Sequence, residues 1–579
     1  MMQATKSNSH HRQLKFWHSY LLVALLSLVS QGAFSQILNA DTPVLEEFLR
    51  RKQLLEQFDS AYSFQLRPYY FSPRDTTPAA REVMHFLAGT KVPKKKNVQF
   101  SMLPILFGTE VNTKRPYGWG NKLMVPNVGI QTTLSTGFYA RFHVLEVQFQ
   151  PEYLFAQNKP YQGFGEDFTS REISARFFYW NNGDNPERFG AAAISKFWWG
   201  QSSVNIVAGP IALGVSTQNI WWGPGQFNSL VFSDNAQGFP HLSLATRRPL
   251  KTFMGNFEGQ IIMGRLENSG LAPSQIQSQN DARFRKFDGD WRYLNGFSLT
   301  YNPSFIPHLF VGLNRTFQQY SKYKGNRFVD WFPIFEGFQK EQFFSNGNSV
   351  IYDSNGLDQQ VSLFFRLLVP KGNFELYGDY GRRDHALNWR EFILNPEHAR
   401  AYLVGFQKLF PIGPQNTFIQ VRSEMTHQQE SVNRYIRYPG LIGNQTWHTH
   451  GLARGFVNYG ETLGVGSGVG SNVQTLEVSH VSGFNKRGIL IERLENNQDF
   501  HSRAFFRNPE KESWIDLSLG LLWDQKWDNL ILRGKAQFIK SYNYQWVNEG
   551  ISTGDYPSGY NPLSFYGSFN LIYRIGQTK

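Results

Sequence analysis

The residues with chemistry to offer are densest in one stretch, "NIWWGPGQFNSLVFSDNAQGFPH" (219–241). It sets Trp221 and Trp222 beside a Gly-Pro-Gly turn and follows them with Asn228, Ser229, Asp234 and Asn235. Indole faces pack on the apolar C–H faces of sugars, while amides, hydroxyls and carboxylates bond the sugar hydroxyls. The same composition also suits a tryptophan belt at a membrane interface, followed by a loop folded into a barrel. The residues alone leave both readings open.

Charged and titratable residues gather in three other places. Glu258, Gln260, Arg265 and Glu267 lie in "NFEGQIIMGRLENSG", and Glu375, Tyr377, Asp379, Arg382, Asp384 and His385 in "ELYGDYGRRDH". Gln420, Arg422 and Glu424 share one face of a further run. Mixed charge at this density suits a network filling a barrel interior, each charge partnered by its opposite. A conducting pore is polar too, so the charges do not separate a closed barrel from a channel.

Catalytic and metal chemistry find little support. His448 and His450 stand two apart in "WHTHG" and would share a strand face, but no third ligand follows at a suitable spacing. The strand–turn–helix context of a Gly-x-Ser-x-Gly nucleophile elbow is missing. "GVGSGVGSN" (464–472) lacks the lysine of a phosphate loop, and no helical pattern follows it. Its glycines read as places where a strand bends or another side chain comes close. No enzyme activity, cofactor or metal is expected.

Such residues need a scaffold, and from about residue 97 the scaffold reads as strands. In "IDLSLGLLWD", Ile515, Leu517, Leu519, Leu521 and Trp523 face one way and Asp516, Ser518, Gly520 and Asp524 the other. Leu530, Leu532, Ala536 and Phe538 alternate with Arg533, Lys535 and Gln537 in the same way. Leu145, Val147 and Phe149 alternate with Glu146, Gln148 and Gln150, and Phe565, Phe569, Leu571 and Tyr573 oppose Ser568, Asn570 and Arg574. Period-two alternation gives a sheet one apolar and one polar face. Soluble sandwiches do this as well. Runs of about ten residues, charge along whole polar faces, and clusters such as "FWWG" (197–200) favour a transmembrane barrel. There are roughly 16 to 18 such runs, consistent with the even strand counts of bacterial outer-membrane barrels. Short turns such as Asp528–Asn529 alternate with long polar connections such as 267–290 and 427–458.

The N-terminal part differs. Arg12 and Lys15 precede an apolar run from Tyr20 to Val29, and "AFS" (33–35) supplies small residues for cleavage before Gln36. Residues 1–35 therefore read as an export signal, which carries Lys6, Arg12 and Lys15 and no acid, so the formal charge falls from +13 to +10. There is no cysteine, hence no disulfide and no thiolate metal site. Aromatics make up 16 % of the chain while the mean hydropathy is −0.41, many rings on a polar average, as a wet-lumened barrel requires. Residues 36–96 read as a periplasmic segment with an amphipathic helix over 42–58, a short helix near 80–87 and a basic linker, "KVPKKK". The basic balance points to acidic glycans or lipid headgroups as neighbours, not nucleic acid.

At this point the chain resembles a known family, the Wzi-type outer-membrane proteins of capsule assembly. "WWGPGQFNSLVFSDNAQGFPH" (221–241) carries the resemblance, with "GQSSV" (200–204), "GPIALGVSTQN" (209–219), "TRRPLKTFMGNFEGQIIMGRLENSG" (246–270), "YGDYGRRDH" (377–385) and "PEHARAYLVGF" (396–406). It extends over about residues 97–575. The resemblance implies an all-β, transmembrane antiparallel barrel of about 18 strands with a small helical element at its periplasmic side. It also implies a lectin-like, non-enzymatic role in binding capsular or other surface polysaccharide and helping to assemble the capsule. Partners would then be that polysaccharide, outer-membrane lipid and the capsule-export machinery. The competing reading is a porin or substrate-specific channel. Candidate polysaccharide-binding or barrel-shaping residues are Trp221, Trp222, Asn228, Ser229, Asp234, Asn235, Glu258, Arg265, Tyr377, Arg382, Asp384 and His385.

Overall fold

The computed structural model describes residues 37–38, 42–70, 77–88, 98–287, 289–337, 356–383, 393–394, 396–413, 416–431, 446–508, 511–548 and 559–575. Residues 1–35, expected above to be an export signal, the "KVPKKK" linker, Asp384, His385 and the C-terminal "GQTK" lie outside them.

Among the described residues, eighteen antiparallel strands, counting segments joined across a short break as one, close on themselves. They are β1 (98–112), β2 (129–142), β3 (145–156), β4 (194–208), β5 (Ile211–Ser216) and β6 (241–251). Next come β7 (Gly255–Leu266), β8 (Arg292–Pro303), β9 (Leu309–Tyr320), β10 (Asp358–Val369), β11 (Phe374–Arg383) and β12 (Arg400–Pro411). The last six are β13 (Thr417–His427), β14 (Asn472–Ser482), β15 (Asn485–Glu495), β16 (Ile515–Lys526), β17 (Leu530–Tyr542) and β18 (Leu563–Tyr573). Each pairs with its sequence neighbours, and β18 pairs with β1 from Tyr566↔Asn112 to Tyr573↔Ile105. Closure pairs most of each strand on both sides, as a lipid environment demands. Five strands, β1, β2, β3, β4 and β6, carry an internal break. In β1 the break falls at Leu103–Pro104, where the register against β2 slips by one residue (Met102↔Phe138, Leu106↔Ser135). Pro104 has no N–H to give a ladder, so a bulge is where it fits.

Alternation works out as read. Leu517, Leu519 and Leu521 point outward and are 43–61 % exposed, while Asp516, Ser518 and Asp524 are buried inside. An apolar outer face this bare is a lipid face. Turns at 209–210, 252–254, 483–484 and 527–529 are short and share one end of the barrel, while connections such as 113–128, 157–193, 217–240 and 428–471 share the other. Short turns belong to the periplasmic end of such barrels and long loops to the outside.

Two residues assigned above to the interior face the other way. In β7 the inward positions are Glu258, Gln260, Ile262 and Gly264, and Arg265 leaves 52 % of its side chain exposed beside Glu267. In β11 the inward set is Glu375, Tyr377, Asp379 and Arg383, so Arg382 shares its face with Tyr380. Arg383 holds the interior position instead, with Nη2 2.7 Å from Asp358 Oδ2. Strand parity is strict, and a one-residue misreading at a strand end reverses the face. The glycine run 464–471 is a further correction: it lies in the loop before β14, not on a strand.

The N-terminal segment enters the barrel from the short-turn end. Helix α1 (Pro43–Leu54) starts with Pro at its first position, where the missing N–H costs nothing. It ends four residues before the span read from the sequence. Val44, Leu45, Phe48 and Leu49 pack on α2 (Pro78–Ala88) and on Phe484, Ile531 and Ile572 of the barrel. Its other side is buried too. Glu47 reaches Lys486 (2.9 Å) and Arg533 (2.7 Å), and Arg50 pairs with Glu375, which also takes Arg366 at 2.7 Å. At the long-loop end, α3 (Ser170–Gly183), capped reciprocally by Thr169 and Glu172, packs near α4 (Gln498–Ala504) in an aromatic cluster with Trp180, Phe500, Trp514 and Trp546.

The Arg366–Glu375–Arg50 cluster generates a prediction. Glu375→Gln leaves two fully buried guanidiniums without their shared anion and should cost about 3–5 kcal/mol in denaturant unfolding of the detergent-solubilised barrel. Lys251→Gln, at an exposed 3.8 Å pair with Asp59, should leave the midpoint unchanged.

Candidate functional site

β5 stops at Ser216 and β6 begins at His241, both far shorter on this side than their neighbours. The chain between them turns into the lumen. Gln201 and Asn219 hold the entry point reciprocally, side-chain amide to carbonyl oxygen (2.9 Å) and backbone N–H to Gln201 Oε1 (3.0 Å). Inside, Trp221 and Trp222 pair antiparallel with Arg67 and Leu66 of the N-terminal segment, and the Gly223 N–H donates to the Gln65 carbonyl at 2.9 Å. The Arg67 guanidinium lies 4.1 Å from the Trp221 ring centroid, and Arg50 Nη2 donates to the Pro224 carbonyl at 3.0 Å. Two segments, one from each end of the barrel, therefore meet in its middle.

The turn is shaped by its surroundings. Gly223 has φ +137°, and a Cβ there would sit 3.0 Å from Ser229 Oγ and 3.2 Å from Asp379 Oδ2. The Glu424 carboxylate accepts the backbone N–H groups of Gln226 (2.8 Å), Phe227 (3.1 Å) and Asn228 (2.7 Å) and the Tyr377 hydroxyl (3.0 Å). One buried carboxylate thus organises three successive amides. Trp222 is fully buried and donates its indole N–H to Gln260 at 2.8 Å. Ser229 Oγ bonds the Trp222 carbonyl, and Asn235 Nδ2 bonds Thr462. The glycine loop fits against this block because Gly466 has no side chain: a Cβ would come within 1.9 Å of the Asn235 amide.

A cavity of ≈340 Å³ opens beside the block. Trp119, Lys122, Trp221, Phe227, Asp234 and Lys535 line it. Among the described residues the Trp221 indole N–H has no hydrogen-bond partner, although the residue is 6 % exposed. Lys122 and Lys535 make no ion pair among the described residues, and Lys535 sits 4.8 Å from the Tyr566 ring. Burial pushes the Asp234 carboxyl up to about 6, against the opposing pull of Lys122 and Arg67. A second cavity, ≈240 Å³, lies on the long-loop side and shares Tyr117, Trp119 and Asn121 with the first. Ring faces, an indole N–H, amides, carboxylates and ammonium groups together give this cavity a polar, ring-lined surface.

Of the residues singled out in the sequence, Trp221 and Asp234 line this cavity, while Trp222, Asn228, Ser229 and Asn235 hold the block in shape. Tyr377 and Glu258 brace it from the wall and from Ser63, whose N–H donates to Glu258 at 2.8 Å. Arg265 and Arg382 stand apart. His450 Nδ1 accepts the N–H groups of Leu452 and Ala453, and burial, with Arg383 alongside, pushes His448 down to about 3. Both imidazoles are elements of loop structure. Arg67, Trp119 and Lys122 were not anticipated, because loop paths across the lumen leave no periodic signal; Lys535 was placed on a polar strand face by alternation but not tied to this cavity.

A family model described as "Capsule assembly protein Wzi" matches residues 127–549. The chain belongs to the Wzi capsule-assembly family. The Wzi match takes in the 217–240 block and leaves out α1 and residues 59–70, which meet that block in the lumen. Among solved structures the chain is similar to Wzi of Escherichia coli, an outer-membrane protein involved in group 1 capsule assembly and a carbohydrate-binding β-barrel. Identity is 12 %, the TM-score is 0.55, and the match covers 94 % of this chain and 100 % of that one, a likeness of fold. It is also similar to OccAB2 of Acinetobacter baumannii (10 % identity, TM-score 0.37, 82 % and 98 % covered). A BenF-like porin from Pseudomonas fluorescens gives 8 %, 0.34, 82 % and 98 %. No curated protein matches.

The role of Glu424 within this Wzi-family block is testable. Glu424→Ala strands one buried and two partly buried N–H groups, at up to about 1–3 kcal/mol each, and should unlock the turn. Increased quenching of tryptophan fluorescence by acrylamide, with barrel heat-modifiability retained, is the expected result; unchanged quenching contradicts the anchoring role.

Proposed function

We propose that this Wzi-family barrel binds a surface polysaccharide at the outer membrane and helps to assemble or anchor the capsule, without catalysis of its own. The observation that carries this reading is the cavity beside the Trp221–Asp234 block, where rings, amides and the ammonium groups of Lys122 and Lys535, which make no ion pair among the described residues, face one space. The carbohydrate-binding activity of the similar Escherichia coli barrel supports it. Lys122 and Lys535 favour an acidic sugar unit over a neutral one. In this reading residues 1–35 are cleaved on export, residues 36–96 form the periplasmic element and plug, and residues 97–579 form the barrel. The capsule-export machinery is the natural protein partner. A channel is the weaker reading, since it needs the path taken by α1 and the 217–240 block.

Purified full-length protein should be retained by immobilised acidic polysaccharide, and a deletion strain should shed capsule. Trp221→Ala and Lys122→Gln should each weaken retention about tenfold, the equivalent of one lost anchoring contact. The Asp234 carboxyl, raised to about 6, is neutral below that pH and anionic above it. Retention of an acidic glycan should therefore fall severalfold from pH 5 to pH 7.5, and Asp234→Asn should abolish the difference. No glycan retention together with a normal capsule in the deletion strain would overturn the proposal.

A further inference from the structure

The diversion of residues 217–240 into the lumen has a consequence on the opposite side of the wall. β5 ends at Ser216 and β6 starts at His241, so the upper part of β4 (Ile194–Trp198) pairs with β3 and has no strand partner on its other side. β7 runs on past that level to pair with β8 as far as Leu266↔Arg292. The lipid face is therefore notched between β4 and β7, near the long-loop end.

A groove of ≈590 Å³ fills the notch. Val215 and Leu242 form its floor, Phe149 and Trp199 one wall, and Trp291 and Trp331 the other. Phe149 and Trp199 meet edge to face, with centroids 6.2 Å apart, and Trp199 is 57 % exposed. Two cations sit on the rings of the second wall. Arg265 lies 5.1 Å from the Trp291 centroid, and Lys324 lies 3.2 Å from Trp331 and 5.4 Å from Tyr293. Their acidic neighbours are Glu267, which takes the Arg265 Nε, and Asp330, which is bonded to Arg327. The remaining Arg265 nitrogens make no hydrogen bond among the described residues.

We propose that this groove is a seat for one phosphorylated lipid of the outer leaflet, with an acyl chain between the aromatic walls and its phosphate at Arg265 and Lys324. Hydrocarbon surrounds this face in any case. The concave shape, the aromatic pillars at interface height and the paired cations at the outer end turn a general contact into a defined site. A tryptophan wall packs methylenes, and its ring face holds the cation that meets the phosphate. The inference rests on the membrane-barrel fold and is independent of glycan binding.

Native mass spectrometry of the full-length protein, released from nanodiscs of phosphatidylcholine with a minor share of phosphatidylglycerol, tests it. Wild type should retain one phosphatidylglycerol. Trp199→Ala with Trp291→Ala should lower retention about tenfold. Arg265→Gln with Lys324→Gln should reduce the preference for phosphatidylglycerol over phosphatidylcholine about fivefold per cation. Phe538→Ala, an outward ring on β17, should change nothing. Retention that survives both double variants, that falls equally in Phe538→Ala, or that shows no preference for the anionic lipid would overturn the site. If the tryptophan pair fails to fold, the two exposed-cation substitutions decide.

Discussion

A closed sheet of eighteen strands encloses more space than its own inward side chains can fill, and barrels of this size leave an aqueous channel unless something else occupies it. Here two chain segments do so. One enters from the short-turn end as α1 and residues 59–70, and the other folds in from the outer end as residues 217–240. Their meeting point is the short antiparallel pairing of Leu66–Arg67 with Trp221–Trp222, sealed by Arg67 on the Trp221 ring. Much else follows from that contact. β5 and β6 must be short to release the chain inward, the wall is notched as a result, and Gly223 and Gly466 are needed where backbones crowd.

Putting polar chain into a polar lumen works only if each buried charge finds its opposite. Glu375 between Arg50 and Arg366, Glu47 between Lys486 and Arg533, and Arg383 on Asp358 satisfy this rule. Buried ion pairs gain little net stability over apolar packing, because desolvation offsets attraction. What they supply is register: α1 seated one turn differently would strand several charges at once. The cavity is held less tightly, since Lys122, which faces Asp234, and Lys535 make no ion pair there among the described residues.

Strand alternation made most of the wall legible. Residues 515–524 and 530–538 separate lipid from water one residue at a time, and nothing but a half-wet sheet needs that pattern. The ends of strands were harder. Arg265 and Arg382 lie where alternation gives way to loop, and a slip of one residue put each on the wrong face. The plug was hidden for a different reason. The sequence shows only an amphipathic helix there, yet Glu47 bonds Lys486 and Arg533 and Arg50 bonds Glu375 across 325 to 486 residues. No local period records contacts of that range. The tryptophan block was visible at once, but its division of labour was not: Trp222 is sealed into the wall side while its neighbour Trp221 faces the cavity, a distinction set by the three-dimensional path of the turn.

The account stands or falls on the lumen being filled by these two segments. Planar-bilayer recording of the purified full-length protein measures this directly. The structure predicts insertion without a steady open level, at most brief flickers as the plug breathes. A large, steady conductance from the unmodified protein would show that α1 and the 217–240 block leave an open path, and would return the chain to the porins.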